Sequence, residues 1–247
     1  MASLGYSSSM TTAGSAHLRQ AIILAGGQAE RLRPYTDDRP KAMVPVAGKP
    51  IVDWQLEWLS AQGAEHVIVS CGFLADVLES HLAGHSYPLR IQVVVEEEPL
   101  GRGGGLRFAA GYLPYPGERW FALNGDVLCR FPLSELVQRH EAAAAMATVA
   151  LAQFRTSWGI ATLDEQDRII GFVQSPKLPY WINGGIYAFE SDVVDLLPPR
   201  GDHEDTTFPR LAQAKRLAAY KLYGYWRGVD TIKDVNEAEE EITRLGW

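Results

Sequence analysis

The chain has 247 residues, 47% of them hydrophobic and 21% charged, enough to close one sizeable core within the range of a single α/β domain. A formal net charge of −7 argues against a surface made for nucleic acid or for an acidic membrane, since both require clustered Lys and Arg. Cys71 and Cys129 are the only cysteines and fit no CxxC spacing, so neither a disulfide framework nor a zinc site is indicated, and a cytoplasmic location is expected.

Residues 1–18 are rich in Ser, Ala, Gly and Thr and lack the basic start and apolar stretch of a signal peptide, so they are expected to form a disordered tail. No apolar run approaches the roughly 18 residues that span a bilayer. Strand-like runs at 21–25, 66–70, 91–95 and 120–123 alternate with helical patterns at 52–62, 74–82 and 105–113. This βαβαβαβ rhythm predicts an open, doubly wound, Rossmann-like sheet with right-handed crossovers. Beyond Pro132 a helix is expected at 133–143, then strands at 146–152, 159–163, 169–173 and 185–189, several of them antiparallel. Helices are expected again at 211–217 and 235–245, the second with Val235, Ala238, Ile242 and Leu245 on one face. The Trp, Tyr, Asn and Pro of 150–190 suit a region that grips a small ligand, and the acceptor side is placed there.

The connection 26–50 far exceeds the roughly two to six residues usual between a strand and its helix. It holds Gly26 and Gly27, then Arg31, Arg33, Arg39 and Lys41, at the carboxyl edge of the first strand, where open α/β sheets bind ligands. Glycines admit phosphate oxygens to backbone N–H groups and the cations offset their charge, so the segment reads as a polyphosphate cradle. A solvated surface loop is the alternative. Neither GxGxxG nor the P-loop spacing is present.

The stretch LAGGQAERLRPYTDDRPKAMVPVAGKPIVD, from Leu24 to Asp53, resembles the amino-terminal motif LAGGxGTRLxPxTxxxPKxxxPvxgkPii of the sugar-1-phosphate nucleotidyltransferases. The resemblance implies a glycosyltransferase-A-like nucleotidyltransferase fold with a nucleoside triphosphate as donor. It places Leu24, Ala25, Gly26, Gly27 and Gln28 on the nucleotide, and Arg31 and Lys41 as catalytic cations on the triphosphate and leaving pyrophosphate. Ala29 and Glu30 replace the family's Gly-Thr, and Glu30 is unfavourable beside phosphate unless it turns outward or pairs with a cation such as Arg33.

The run from Glu98 and Pro99 through Gly101 to Gly105 resembles the family's E-x-P-L-G-T-A-G loop, which closes on base and sugar. Its glycines are better explained by ligand contact than by a plain helix entry, and Arg102, at the place of a small residue, either contacts phosphate or caps the helix. Asn124, Gly125 and Asp126 follow the fourth strand and resemble the family's [LN]-x-G-D motif, making Asp126 catalytic and a Mg²⁺ ligand. On turn preference alone such an Asp is merely a turn residue. In the family's W-x-D-I-G-T-P-x-D the first Asp binds metal, but Gly228 stands there, and Asp230 is the second ligand, an arrangement similar to W-x-x-M-D-T of glucose-1-phosphate cytidylyltransferases. Asp234 is expected to complement a helix dipole. Asn183 and Gly184 begin a run that matches N-[AT]-G-[IV]-Y, with Asn183 on sugar hydroxyls, and Gly159 joins them on the acceptor side. The family's E-K-P reads Gln174-Ser175-Pro176, so Lys177 is the candidate replacement for the sugar-phosphate lysine.

With these motifs the resemblance covers residues 20–247 and divides a catalytic domain at 19–247 into a nucleotide-binding half, 19–130, and a sugar-phosphate-binding half, 131–247. It implies Mg²⁺-dependent transfer from an NTP, GTP slightly favoured, to a sugar-1-phosphate or cyclitol phosphate, with cytidylyl or uridylyl transfer as the alternative. A non-catalytic nucleotide-sugar-binding regulator is the second class, motivated by Glu30, Ser175 and Gly228. A dinucleotide-dependent oxidoreductase lacks its glycine fingerprint. No β-helix repeat follows to mediate trimerisation, and a homodimer is the candidate assembly.

Overall fold

The structure is a computed structural model and describes residues 19–27, 29–156 and 158–247; the tail expected at 1–18 and Gln28 lie outside the described residues. The chain runs β1 (Gln20–Leu24), β2 (Pro45–Val46), β3 (Lys49–Pro50), α1 (Ile51–Ala61), β4 (His66–Cys71), α2 (Ala75–Ala83), β5 (Arg90–Val95), α3 (Gly101–Ala110), β6 (Trp120–Asn124) and β7 (Val127–Arg130). There follow α4 (Leu133–Ala142), β8 (Ala147–Arg155), β9 (Ile160–Leu163), β10 (Ile169–Val173), β11 (Lys177–Phe189), α5 (Thr207–Gln213), β12 (Leu217–Lys221), β13 (Tyr225–Gly228) and α6 (Ile232–Leu245).

Among the described residues, seven strands form one mixed sheet in the order β12-β8-β11-β6-β1-β4-β5. Every neighbouring pair is parallel except those made by β11, which runs antiparallel to both β6 and β8. β1 is central because its residues are apolar on both faces: Ile23 joins a core with Val52, Leu56 and Leu59 of α1, and Ile22 joins another with Leu106 and Ala109 of α3. Each of these fully buried Ile, Val and Leu side chains stabilises the fold by about 1.5–3 kcal/mol. The chain leaves β1 for β4 on one side and later returns to β6 on the other, which makes the β1–β6 junction the topological switch point of a doubly wound α/β fold. Among the described residues, no helix is long and apolar enough to cross a membrane.

Three expectations need correction. The helix expected at 211–217 is α5, shifted to Thr207–Gln213, and Leu217 opens β12, because pairing with β8 outweighs the helical preference of its alanines. The strand expected at 185–189 is the end of β11, which begins at Lys177 and carries Asn183 and Gly184 within it. α3 begins at Gly101, four residues before the expected start, so the glycine run is its first turns rather than a free loop. Short pairs β2–β3 and β7–β13 were too brief to show an apolar period. The long connection 26–50 is packed rather than solvated: Leu32, Val44 and Val46 are buried with Leu128, Val229, Val235 and Ile242, which ties it to α6.

Candidate functional site at the carboxyl edge of the sheet

A cleft of about 580 Å³ opens at the switch point. Leu24, Ala25, Gly26, Gly27, Arg31, Lys41, Pro99, Gly101, Asn124, Gly125, Asp126 and Asp230, all singled out from sequence, line it. The strand ends meet closely there: the Gly125 N–H donates to the Leu24 carbonyl at 2.8 Å, and a Cβ on Gly125 would stand 2.6 Å from that oxygen. The Gln55 amide of α1 donates to the Asn124 and Val127 carbonyls, each at 2.8 Å, and so fixes the turn that presents Asp126.

The β7–β13 pair decides where the second carboxylate lies. Val127 is registered with Gly228, and the Val229 N–H donates to the Asp126 carbonyl at 2.9 Å, so Asp230 emerges beside Asp126 although about a hundred residues separate them in the chain. The Lys41 ammonium donates to Asp126 Oδ2 at 2.5 Å and to Asp230 Oδ1 at 2.7 Å, and Arg31 Nη2 reaches Asp230 Oδ1 at 3.3 Å. Burial lowers the Lys41 pKa, but the two carboxylates outweigh it and hold it above its usual value. For Asp230 burial acts upward, and its bonds to Lys41 and the nearby Arg31 carry the net shift below the ordinary carboxylate range. Asp234 lies in the capping box of α6, where its Oδ2 accepts from the Thr231 N–H at 2.8 Å.

Two carboxylates converging on one cationic nitrogen form an all-oxygen donor set that fits a hard divalent cation. Among the described residues no group of three or more metal-binding side chains occurs. Such a site suits Mg²⁺, which takes one or two carboxylates and fills its remaining positions with phosphate oxygens and water.

Ala29 occupies the left-handed region at φ 48°, a conformation that costs a Cβ-bearing residue roughly 1–2 kcal/mol. Glu30 is exposed, and Arg33 pairs with Asp37 at 3.5 Å, so the extra carboxylate faces solvent. Sequence reasoning missed Gly72, Phe73, Glu96 and Glu97 in the cleft wall. Their signal was position: they follow the carboxyl ends of β4 and β5. Glu96 is held there by the Ser70 hydroxyl at 3.0 Å and the Leu100 N–H at 3.1 Å. Glu98 is not among the lining residues, because it turns to Arg200.

The glycine run of α3 is not explained by ligand contact. The Gly103 and Gly104 N–H groups donate to the Gly201 carbonyl at 2.9 and 3.1 Å, and a Cβ on Gly103 would lie 2.7 Å from the His203 nitrogen. The run lets segment 198–203 lie directly on the helix start.

Gly159, Lys177, Asn183 and Gly184 do not line the cleft either. Gly159 sits against the Phe172 ring, and Lys177 is exposed on β11, opposite Arg155. The Gly184 carbonyl accepts from Trp226 Nε1 at 2.7 Å. Asn183 donates to the Tyr187 hydroxyl at 2.9 Å and to Glu204 Oε1 at 3.4 Å, and Glu204 in turn pairs with Arg102 at 3.0 Å. Burial raises the Glu204 pKa, partly offset by Arg102. Beside it His203 is fully buried: Nδ1 is 3.3 Å from Glu204 without hydrogen-bond alignment, and neither ring nitrogen has a partner among the described residues.

Burial, then the Arg102 charge, push His203 down to about 4. An unfolded histidine titrates near 6.5, so the unfolded chain binds the extra proton between those values, and stability present above pH 6.5 drains as pH falls towards 4. His203→Phe, which keeps the ring packing on Tyr187 and Phe208, is expected to lessen that acid loss by up to about 3 kcal/mol. Urea unfolding at pH 7 and pH 4.5 checks this; an unchanged difference between the two pH values would refute it.

The fold and the cleft together define a doubly wound α/β protein with a cation- and carboxylate-lined crevice at its switch point, where such folds bind their ligands. Residues 20–244 match the nucleotidyl transferase family, and the chain belongs to it. It is 34% identical over 222 residues to the mannose-1-phosphate guanylyltransferase catalytic subunit beta of Drosophila melanogaster, covering 87% of this chain and 60% of that protein. It is 34% identical over 237 residues to the mannose-1-phosphate guanylyltransferase of Mycobacterium tuberculosis, covering 92% of this chain and 66% of that one. The chain thus spans about 60% of the length of the curated relatives it matches. HddC from Yersinia pseudotuberculosis superposes with a TM-score of 0.72 at 23% identity, covering 91% of this chain and all of that one, and has also been solved in complex with GMP-PN.

Proposed function

We propose that the protein transfers a nucleotidyl group from GTP to a sugar-1-phosphate or cyclitol phosphate, releasing pyrophosphate with the aid of Mg²⁺. The observation that carries the reading is the pair Asp126 and Asp230 sharing the Lys41 ammonium beside Arg31, at the mouth of a glycine-lined cleft. Guanine as the base is supported by the names of the relatives and by the GMP-PN complex of the structural neighbour.

A phosphate monoester is largely dianionic at neutral pH, so the acceptor oxygen can attack the α-phosphorus without a general base. One P–O bond forms, the bond from the α-phosphorus to the bridging oxygen breaks, and pyrophosphate leaves with the electron pair. The chain's own part is positioning and charge. Gly26 and Gly27 admit the phosphates to the backbone, and Arg31 and Lys41 offset the negative charge that grows on the departing pyrophosphate. Asp126 and Asp230 would hold Mg²⁺, which supplies Lewis-acid neutralisation of the phosphate oxygens.

Pyrophosphate release with GTP, CTP, UTP, ATP and dTTP, each crossed with a panel of sugar- and cyclitol-1-phosphates that includes mannose-1-phosphate, tests the proposal. Turnover with GTP and one acceptor is expected. Turnover only with CTP or UTP would replace the base, and nucleotide-sugar binding without pyrophosphate would replace the enzyme by a regulator. Within the site, Asp230→Asn is expected to raise the Mg²⁺ concentration needed for half-maximal rate by roughly 10- to 100-fold, whereas Asp234→Asn acts chiefly on α6 stability, by about 1 kcal/mol. A Mg²⁺ titration showing the reverse ranking would move the second ligand to Asp234.

A further inference from the structure

Among the described residues the cleft is lined by three cations, Arg31, Lys41 and Arg102. The first two are engaged with Asp126 and Asp230. Arg102 has other partners: its backbone N–H and Nη2 bind the two Asp202 oxygens at 2.9 and 2.8 Å, and Nη1 pairs with Glu204 at 3.0 Å.

We infer that Arg102 holds the phosphate of the acceptor substrate, taking the place of the lysine that the family motif would put at position 175. The inference rests on the function proposed above. In that reaction the acceptor's phosphate lies between the donor's α-phosphorus and the acceptor's hydroxyl-bearing ring. Arg102 lines the donor cleft and is joined through Glu204 to Asn183, the residue matched to hydroxyl recognition, so it links the donor cleft to the acceptor side.

The charge near the motif's own position lies outside the cleft: Arg155, bonded to the Ser175 backbone, does not line it. Ser175 carries none, and its carbonyl accepts from Arg155 at 2.9 Å. Lys177 is exposed on β11, and neither residue is part of the cleft lining.

The chemistry of the guanidinium agrees. It presents five N–H donors in a rigid fork, and two anchoring carboxylates fix its orientation while leaving donors for an oxyanion. Its side chain is 49% exposed although it is doubly paired. The small residue of the family motif could do none of this; the motif's lysine and this chain's arginine are alternative placements of one charge.

The test compares steady-state kinetics of the wild type, Arg102→Gln, Arg102→Lys, Asp202→Asn and the double variant Arg102→Gln/Ser175→Lys. The substrates are GTP and mannose-1-phosphate, or the pair that the panel selects, and melting curves accompany each variant. Arg102→Gln is expected to raise the acceptor KM about 10- to 100-fold, the worth of one charge-assisted hydrogen bond, with the GTP KM within about twofold of wild type. Arg102→Lys should lose less, and Ser175→Lys should recover much of the acceptor KM in the double variant. If Arg102 only secures segment 198–203, Arg102→Gln and Asp202→Asn will lower the melting temperature alike and shift both KM values together, which overturns the inference. A rise confined to the GTP KM, or no change in either, also overturns it. A wild type silent across the whole panel removes the proposed function itself, and this inference with it.

Discussion

Asp126→Asn is expected to reduce turnover by on the order of 10²- to 10³-fold while leaving the fold intact. The substitution removes one of the two charges that share the Lys41 ammonium and would hold the metal. Asparagine keeps the volume and an oxygen for Lys41, but as a neutral ligand it binds a hard cation far more weakly. The backbone that presents residue 126 is held independently, by the two bonds from Gln55 and by the Val229 N–H on the residue's own carbonyl. The Lys41 ammonium is mostly buried, at 12% exposure, but it keeps Asp230 and the amide oxygen at 126 as partners, so the melting temperature should move by only a few degrees. Pyrophosphate release across a Mg²⁺ titration, with melting curves alongside, measures both effects. Near-normal turnover would remove Asp126 from the metal site and leave it a turn residue.

A loss of stability is expected from Gly103→Ala. Alanine is ordinarily better than glycine in a helix by roughly 1 kcal/mol. Here the new Cβ would lie 2.7 Å from the His203 nitrogen, 2.7 Å from Pro198 Cγ and 2.9 Å from the Gly201 carbonyl oxygen. Two of these are backbone atoms, and that carbonyl accepts the Gly103 and Gly104 N–H groups, so relief by movement would break the bonds that close the helix start. A net loss of about 1–3 kcal/mol follows, or roughly 2–4 °C of melting temperature for each kcal/mol in a chain of this size. Displacement of 198–203 would also carry Asp202 and Glu204 away from Arg102, so activity should fall with stability. An unchanged melting temperature with a raised donor KM would instead return these glycines to a ligand-binding role.

That comparison shows where motif reading stops. Four glycines in five residues signal a close approach, but the sequence does not say whether the approaching group is a ligand or another piece of the same chain. At Gly103 and Gly104 it is the backbone of 198–203, a segment without apolar period or motif to announce it. Glu98 illustrates the same limit. Three consecutive glutamates follow β5, and only tertiary contacts, Ser70 and the Leu100 N–H on Glu96 and Arg200 on Glu98, separate those that line the cleft from the one that does not.

The strands β1, β4, β5 and β6, the helices between them and the excess length of 26–50 were legible because burial on both faces writes continuous apolar runs, and charged loops at strand ends stand out against them. The lining residues from Leu24 to Gly27, with Arg31, Lys41, Asn124, Gly125 and Asp126, could be read for the same reason: they lie within a few residues of strand ends whose position the periodicity sets. Asp230, by contrast, reaches Asp126 through β7 and β13, four residues each, too short for either to carry a period of its own. The link from Asn183 through Glu204 to Arg102 likewise joins three remote segments by side chains alone. Local sequence thus determined the sheet, its switch point and the charges offered there. Which remote carboxylates, glycines and cations meet at that edge was decided only by tertiary packing, because such pairings depend on register and close approach between segments that leave no periodic trace in the chain.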